Sequence, residues 1–201
     1  MTLDPSSWPR VPPTLEAGPF RLRPFDERDL PLIEEASRDP LITLITTVPS
    51  RYSQAEGAAF LARQRERARS GQGYAFAIED LAMGRGIGGC FVSLRNVDLG
   101  RVSFGYWVVA SERGRGAAGH VLSACVAWAT AEFSPRRLEL YVEPWNEASI
   151  RTAEGVGFTR EGLLRSWERV GDEHRDMLMF SLLPSDLDPA RAGTDLGEVD
   201  G

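Results

Sequence analysis

The segment Arg113-Gly114-Arg115-Gly116-Ala117-Ala118-Gly119 follows a strand-like apolar run and leads into a helical pattern. A helix start leaves its first backbone N–H groups without partners and carries the positive end of the helix dipole. Three glycines let the chain wrap closely, and two arginines add charge, so the segment reads as an anion-binding site. A second cluster, Gly84-Arg85-Gly86-Ile87-Gly88-Gly89, also fits G-x-G-x-x-G but runs into the strand-like Cys90–Leu94. A dinucleotide loop must open a helix, so this cluster is read as a hairpin turn and a buried strand start.

The chain has 201 residues, 23 cations against 29 acids, and a net charge of −6. Every cation is arginine. Lacking lysine, the chain has no Schiff-base amine and no P-loop lysine. Two histidines and two cysteines are too few for the usual structural zinc sites, so no metal is expected. The acidic balance argues against non-specific nucleic-acid binding. No apolar run approaches a membrane span, and the Pro-rich start has no signal-like core, so the expectation is a cytoplasmic protein outside any membrane. Cys90 and Cys125 lie in apolar stretches and read as buried thiols.

The elements that must position these groups follow from periodicity. Residues 1–17 read as an irregular arm and 184–201 as an acidic disordered tail with five acids against one arginine. Between them, 18–183 reads as one domain. Phe20–Phe25 reads as a strand, and Asp26 caps a helix to about Ser37 that Pro40 ends. Leu41–Val48 is ambiguous, and Ser53 with Glu56 starts a helix to about Ser70. Tyr74–Glu79, Ile87–Arg95 and Val102–Val109 form an antiparallel meander. A helix over Gly116–Phe133, a strand at Arg137–Glu143, a short helix near Ala148–Glu154 and strands at Phe158–Arg169 and Asp176–Leu183 complete a mixed α/β sheet.

Gly114-x-Gly116-x-x-Gly119 also fits a dinucleotide fingerprint, with Glu143 placed to hold a ribose. Its glycines come several residues past the strand tip, however, and too few strands surround it for a doubly wound sheet. Arg113-x-x-Gly116-x-Ala118 instead resembles the coenzyme A pyrophosphate loop of the GNAT superfamily of acyl-CoA N-acyltransferases. Gly105-Tyr106-Trp107-Val108 is similar to the preceding strand in the ribosomal-protein alanine N-acetyltransferase subgroup. Asn146-x-x-Ser149 and Glu154-x-x-Gly157-Phe158 match at family spacing, and the resemblance runs from about Phe20 to Leu183.

The resemblance implies a GNAT fold: a mostly antiparallel seven-stranded sheet splayed at its centre, with about four helices. It implies acetyl transfer from acetyl-CoA, as co-substrate, to a primary amine, in the subgroup a protein N-terminus. A small amine such as a polyamine or aminoglycoside is the second acceptor class. Two rivals use the same loop differently: a dinucleotide-dependent enzyme, and a non-catalytic acyl-CoA-binding module. The donor would be held by Arg113, Gly114, Arg115, Gly116, Ala117 and Ala118, and by a bulged strand at Trp107, Val108 and Val109. A backbone N–H near Val108 would polarise the thioester carbonyl. Asn146 and Arg151 would contact pantetheine and the 3′-phosphate. Glu168 is the implied general base, and Ser149 faces the sulfur; the family's acid tyrosine position is Ala153 here. Homodimers are common in the subgroup. Glu34, Glu35, Asp172 and Glu173 are placed to attract a cationic acceptor.

Overall fold

The computed structural model describes residues 8–187. Strands β1 (Leu15–Ala17), β2 (Phe20–Pro24), β3 (Gly73–Asp80), β4 (Arg85–Ser93), β5 (Arg101–Val108), β6 (Arg137–Val142), β7 (Thr159–Val170) and β8 (Glu173–Leu182) form one sheet, ordered β1-β2-β3-β4-β5-β6-β8-β7. All neighbours pair antiparallel except β5 and β6, which are parallel and joined through a helical crossover. The sheet therefore has eight strands rather than seven. The extra one, β1, lies inside the segment read as an irregular arm: three residues between Pro13 and Gly18 are too few to show alternation.

Among the described residues five α-helices flank the sheet, one more than expected: α1 (Leu30–Ala36), α2 (Pro40–Ile45), α3 (Gln54–Arg69), α4 (Ala117–Phe133) and α5 (Glu147–Val156). The ambiguous stretch is α2. Asp39 caps it by accepting from Leu41 N–H (2.9 Å), and Pro40 occupies its first turn. Proline there sacrifices no helical hydrogen bond, so it starts this helix as well as ending the previous segment. Asp26 caps as expected, in a reciprocal box with Asp29, but first starts a 3-10 turn over Glu27–Asp29. Residues 184–187 form a 3-10 turn; the rest of the expected tail lies outside the described residues.

Alternation divides the side chains between two cores. Cys90 and Val92 of β4, Val102, Phe104 and Val108 of β5, and Leu138, Leu140 and Val142 of β6 pack with Val121, Leu122 and Cys125 of α4. Trp107 and Val109 face the other way, with Ile33 of α1, Ile42 of α2 and Phe60 of α3. The two thiols are buried side by side with Sγ atoms 3.4 Å apart. Below the second core, the buried Arg23 guanidinium makes two parallel bonds of 2.8 Å to the fully buried Asp29 carboxylate. This fork satisfies a charge pair that burial would otherwise make costly. The second glycine cluster forms the β3–β4 hairpin and the start of β4, as its sequence implies.

Candidate active site

Two local facts create the site. Strands β5 and β6 pair only from Arg101/Arg137 to Phe104/Leu140, so they diverge beyond Phe104. At the mouth of that gap, α4 begins after Gly116, which adopts the left-handed conformation (φ 77°) with no side chain capping the helix. Gly114 is also left-handed (φ 80°). Such angles suit glycine and turn successive backbone N–H groups toward the gap.

The free edge of β5 can be assigned atom by atom. Val109 N–H donates to Ile87 O across the β4 ladder (3.0 Å). Antiparallel alternation then turns Trp107 toward β4 and the backbone groups of Tyr106 and Val108 toward the gap. Val108 O agrees, since it accepts from Arg113 Nε (2.9 Å) rather than from β4. Val108 N–H is thus presented at the open edge without the bulge implied by the resemblance. Pairing between β4 and β5 runs without a register shift from Ser103 to Val108. Divergence of β6 alone frees the edge.

A cavity of about 1080 Å³ fills this region. Trp107, Val108, Arg113, Gly114, Gly116, Ala117, Ala118, Asn146, Ser149 and Arg151 line it, so most of the expected donor residues come together. Asn146 caps α5 through its side-chain oxygen, which accepts from Ser149 N–H (3.1 Å). Ser149 is therefore inside the first turn of α5, with its side chain on the cavity wall. Arg151 also reaches Glu147 (3.2 Å).

Two expected donor residues lie elsewhere. Val109 is buried in the core under α1 and α3. Arg115 points away from the gap, reaching Asp80 and Glu112 (both 2.6 Å). Glu112, nearly buried, also holds Arg85, so Arg115 braces the loop against the β3–β4 hairpin. Arg113 does line the cavity, but its guanidinium is also engaged by Asp39 at the head of α2. The Ser111 hydroxyl donates to Glu35 of α1 (2.6 Å), a second tie between loop and helices.

Glu168 is not part of the cavity wall. It sits on β7 just past an irregular stretch, where pairing jumps from Leu164/Met177 to Glu168/Arg175. Although its side chain is exposed, desolvation by neighbouring protein atoms raises its pKa above the usual carboxylate range, with Arg95 opposing and Glu143 adding to the shift. Glu143 accepts from the Trp145 indole (2.7 Å), and Trp145 lines the cavity, so Glu143 stands next to a wall residue.

Several wall residues carry no signal of their role in the sequence. Leu41, Ile42 and Ile45 come from α2, whose period was too short to assign. Tyr106 lies in the strand motif that carried the resemblance; its hydroxyl is 3.5 Å from Ser149 O, and burial raises its pKa. His120 is exposed in the first turn of α4 and lines the cavity beside Gly18.

A split sheet with an uncapped helix start beside it offers a free strand edge and an anion-binding helix end on one cavity. Residues 20–159 match the acetyltransferase (GNAT) domain, and the chain belongs to that family of acyltransferases. It is 25% identical over 170 residues to an uncharacterized N-acetyltransferase, p20, of Bacillus licheniformis, covering 85% of this chain and 96% of the relative. Mycobacterium smegmatis RimJ, solved in complex with CoA-disulfide, superposes with a TM-score of 0.77 at 25% identity, over 90% of this chain and 91% of that one. A GCN5-related N-acetyltransferase from Brucella melitensis superposes with a TM-score of 0.72 at 24% identity, over 90% and 85%.

Proposed function

We propose that this protein moves an acetyl group from acetyl-CoA directly to the free α-amine of a polypeptide. The observation that carries this is the uncapped start of α4 opening onto the unpaired edge of β5. Diphosphate is held by the N–H groups following Gly116 and by the helix dipole. Pantetheine amides pair with the exposed edge at Tyr106 and Val108, as an added strand would. Val108 N–H polarises the thioester carbonyl, whose oxygen gains charge as the amine attacks. A carbon–nitrogen bond forms, the carbon–sulfur bond breaks, and the leaving thiolate faces Ser149.

The amine must lose a proton to react. An α-amine with a pKa of about 8 is mostly protonated at neutral pH. Glu168 takes that proton, directly or through water. Glu168→Gln should lower kcat at least about 100-fold at neutral pH while sparing acetyl-CoA affinity. Steady-state rates and a binding isotherm check both; unchanged turnover would remove Glu168 from the mechanism.

The base must be ionised, so its raised pKa places the acid limb of the kcat/KM profile above the ordinary glutamate range. Glu143→Gln removes a repelling charge, stabilises ionised Glu168 and should move that limb to lower pH. Arg95→Gln removes an attracting charge and should move it higher. The pH profiles of both variants check these signs.

Donor choice is tested by melting. Acetyl-CoA at about 100 times its Kd should stabilise the fold by about 2.7 kcal/mol, whereas NAD should not shift the transition.

A further inference from the structure

The sheet face opposite α4 and α5 carries charges that the acyl transfer does not use. Strand alternation puts Phe91 and Ser93 of β4 on this face, followed by Arg95, because Cys90, Val92 and Leu94 fill the core under α4. The same alternation puts Trp107, Tyr141 and Glu143 there. Trp167 stacks on Tyr141 (centroids 5.7 Å apart, planes at 20°). Glu168 reaches this face through its own register: it lies opposite Arg175, which alternates with Leu178 of the core under α4. Gly105 leaves space at its centre, with no protein atom within 4 Å of where a Cβ would stand.

Helix α3 brings two more guanidiniums to the border of this face. Arg63 and Arg67 lie one turn apart on one side of α3. Arg63 donates to Thr47 O (3.0 Å), in the segment leaving α2. The end carrying Arg67 is tied to the end of β4: Gln72 N–H donates to Arg67 O, and Leu94 N–H to Gln72 O, both at 3.0 Å. Arg67 therefore stands beside Arg95. Among the described residues none of the three makes a salt bridge, and Arg67 is half-buried. Burial, then the like charges of Arg95 and Arg63, pull its pKa below the ordinary arginine value. Three crowded cations outnumber the one carboxylate, Glu168, whose charge interacts with Arg95, and the excess favours an incoming anion.

We propose that Arg63, Arg67 and Arg95 form an anion subsite beside the acceptor amine, selecting polypeptides with an acidic side chain two to four residues from a free N-terminus. The proposal rests on acetyl transfer to an α-amine and specifies which amines are taken. An amine drawn to Glu168 and an acid drawn to the arginines match the two charged borders of this face. Three guanidiniums spread from α3 to β4 exceed what one small carboxylate needs, which favours an acidic chain over a free amino acid. A polyamine would meet repulsion. The acids that sequence alone offered for a cation are partly occupied: Glu34 pairs with Arg38, and Glu35 accepts from Ser111.

The test measures acetylation of matched hexapeptides with Asp or Glu, Asn or Gln, or Lys at positions two to four, beside free aspartate and spermidine. Acidic peptides should exceed their amide counterparts at least about 10-fold in kcat/KM, mainly through KM. In Arg67→Gln/Arg95→Gln, shown folded by its melting transition with acetyl-CoA, that ratio should fall to about 2-fold or less. Raising the salt from about 20 to about 300 mM should compress it in the unaltered protein, a readout that needs no variant. Equal rates on acidic and amide peptides, a salt-independent preference, or better turnover of aspartate or spermidine would overturn the subsite alone. No product from any amine, with acetyl-CoA still raising the melting temperature, would overturn the acetyl-transfer reading and the subsite with it.

Discussion

Replacing Ala118 with glutamate should abolish useful acetyl-CoA binding while leaving the fold as stable as before. Ala118 is the second residue of α4, half-buried on the cavity wall. A carboxylate in the first turn of a helix is favourable by about 0.3–1 kcal/mol, so thermal unfolding should stay level or rise slightly. The same carboxylate occupies the field that would hold a diphosphate. Repulsion at about 5 Å and intermediate polarity costs about 3 kcal/mol, or roughly 100-fold in Kd. Ala118→Gln adds similar bulk without charge and should lose less than about 10-fold, which separates charge from size. Calorimetric titration with acetyl-CoA, paired with a melting curve, reads both quantities. If Ala118→Glu still binds like the unaltered protein, the start of α4 does not hold the donor.

Replacing Gly88 with alanine should cost about 4 kcal/mol of stability and lower the melting temperature by about 10 °C. Gly88 pairs with Val108, and an added Cβ would stand 2.2 Å from Trp107 O and 3.1 Å from Val108 Cα. The obstacle is backbone, so no side-chain rotation relieves it. β4 would have to leave β5 beside Val108, whose N–H is proposed to polarise the thioester, so activity should fall more steeply than folded protein does. Gly105→Ala is the contrast: its Cβ meets open space, and stability should change by less than about 0.5 kcal/mol. Differential scanning calorimetry of the two variants decides the point; a tolerated Gly88→Ala would mean that the two strands can part here at little cost.

The glycine-rich start of α4 was readable in the sequence because its signals are local. Three glycines, a preceding strand and a following helix all lie within a few residues, and helix-start physics does the rest. The antiparallel meander of β3 to β5 was readable for the same reason, since alternation and turn residues repeat along it. What failed depends on partners distant in the chain. Arg115 has the right position for a phosphate, yet Asp80, 35 residues away, takes its guanidinium. Nothing in the loop announces that partner. Val109 follows Val108 directly and lies on the opposite face, because one step along a strand reverses the side chain. The arginine subsite was hidden because Arg63 and Arg67 look like a solvated helix face until β4 brings Arg95 to them. Asp39-Pro40 was a legible helix start, masked because Pro40 also closes the preceding segment.

Helix α2 has six residues, and of these only Ile42 is fully buried; its remaining tether to the body includes the link from Asp39 to Arg113. A short element with so little apolar anchorage opens at a small fraction of the global unfolding free energy. The wall of the cavity facing the acceptor should therefore exchange its amide hydrogens well before α4 does. On that expectation the cavity rim from Leu41 to Ile45 opens readily, while the start of α4 stays fixed.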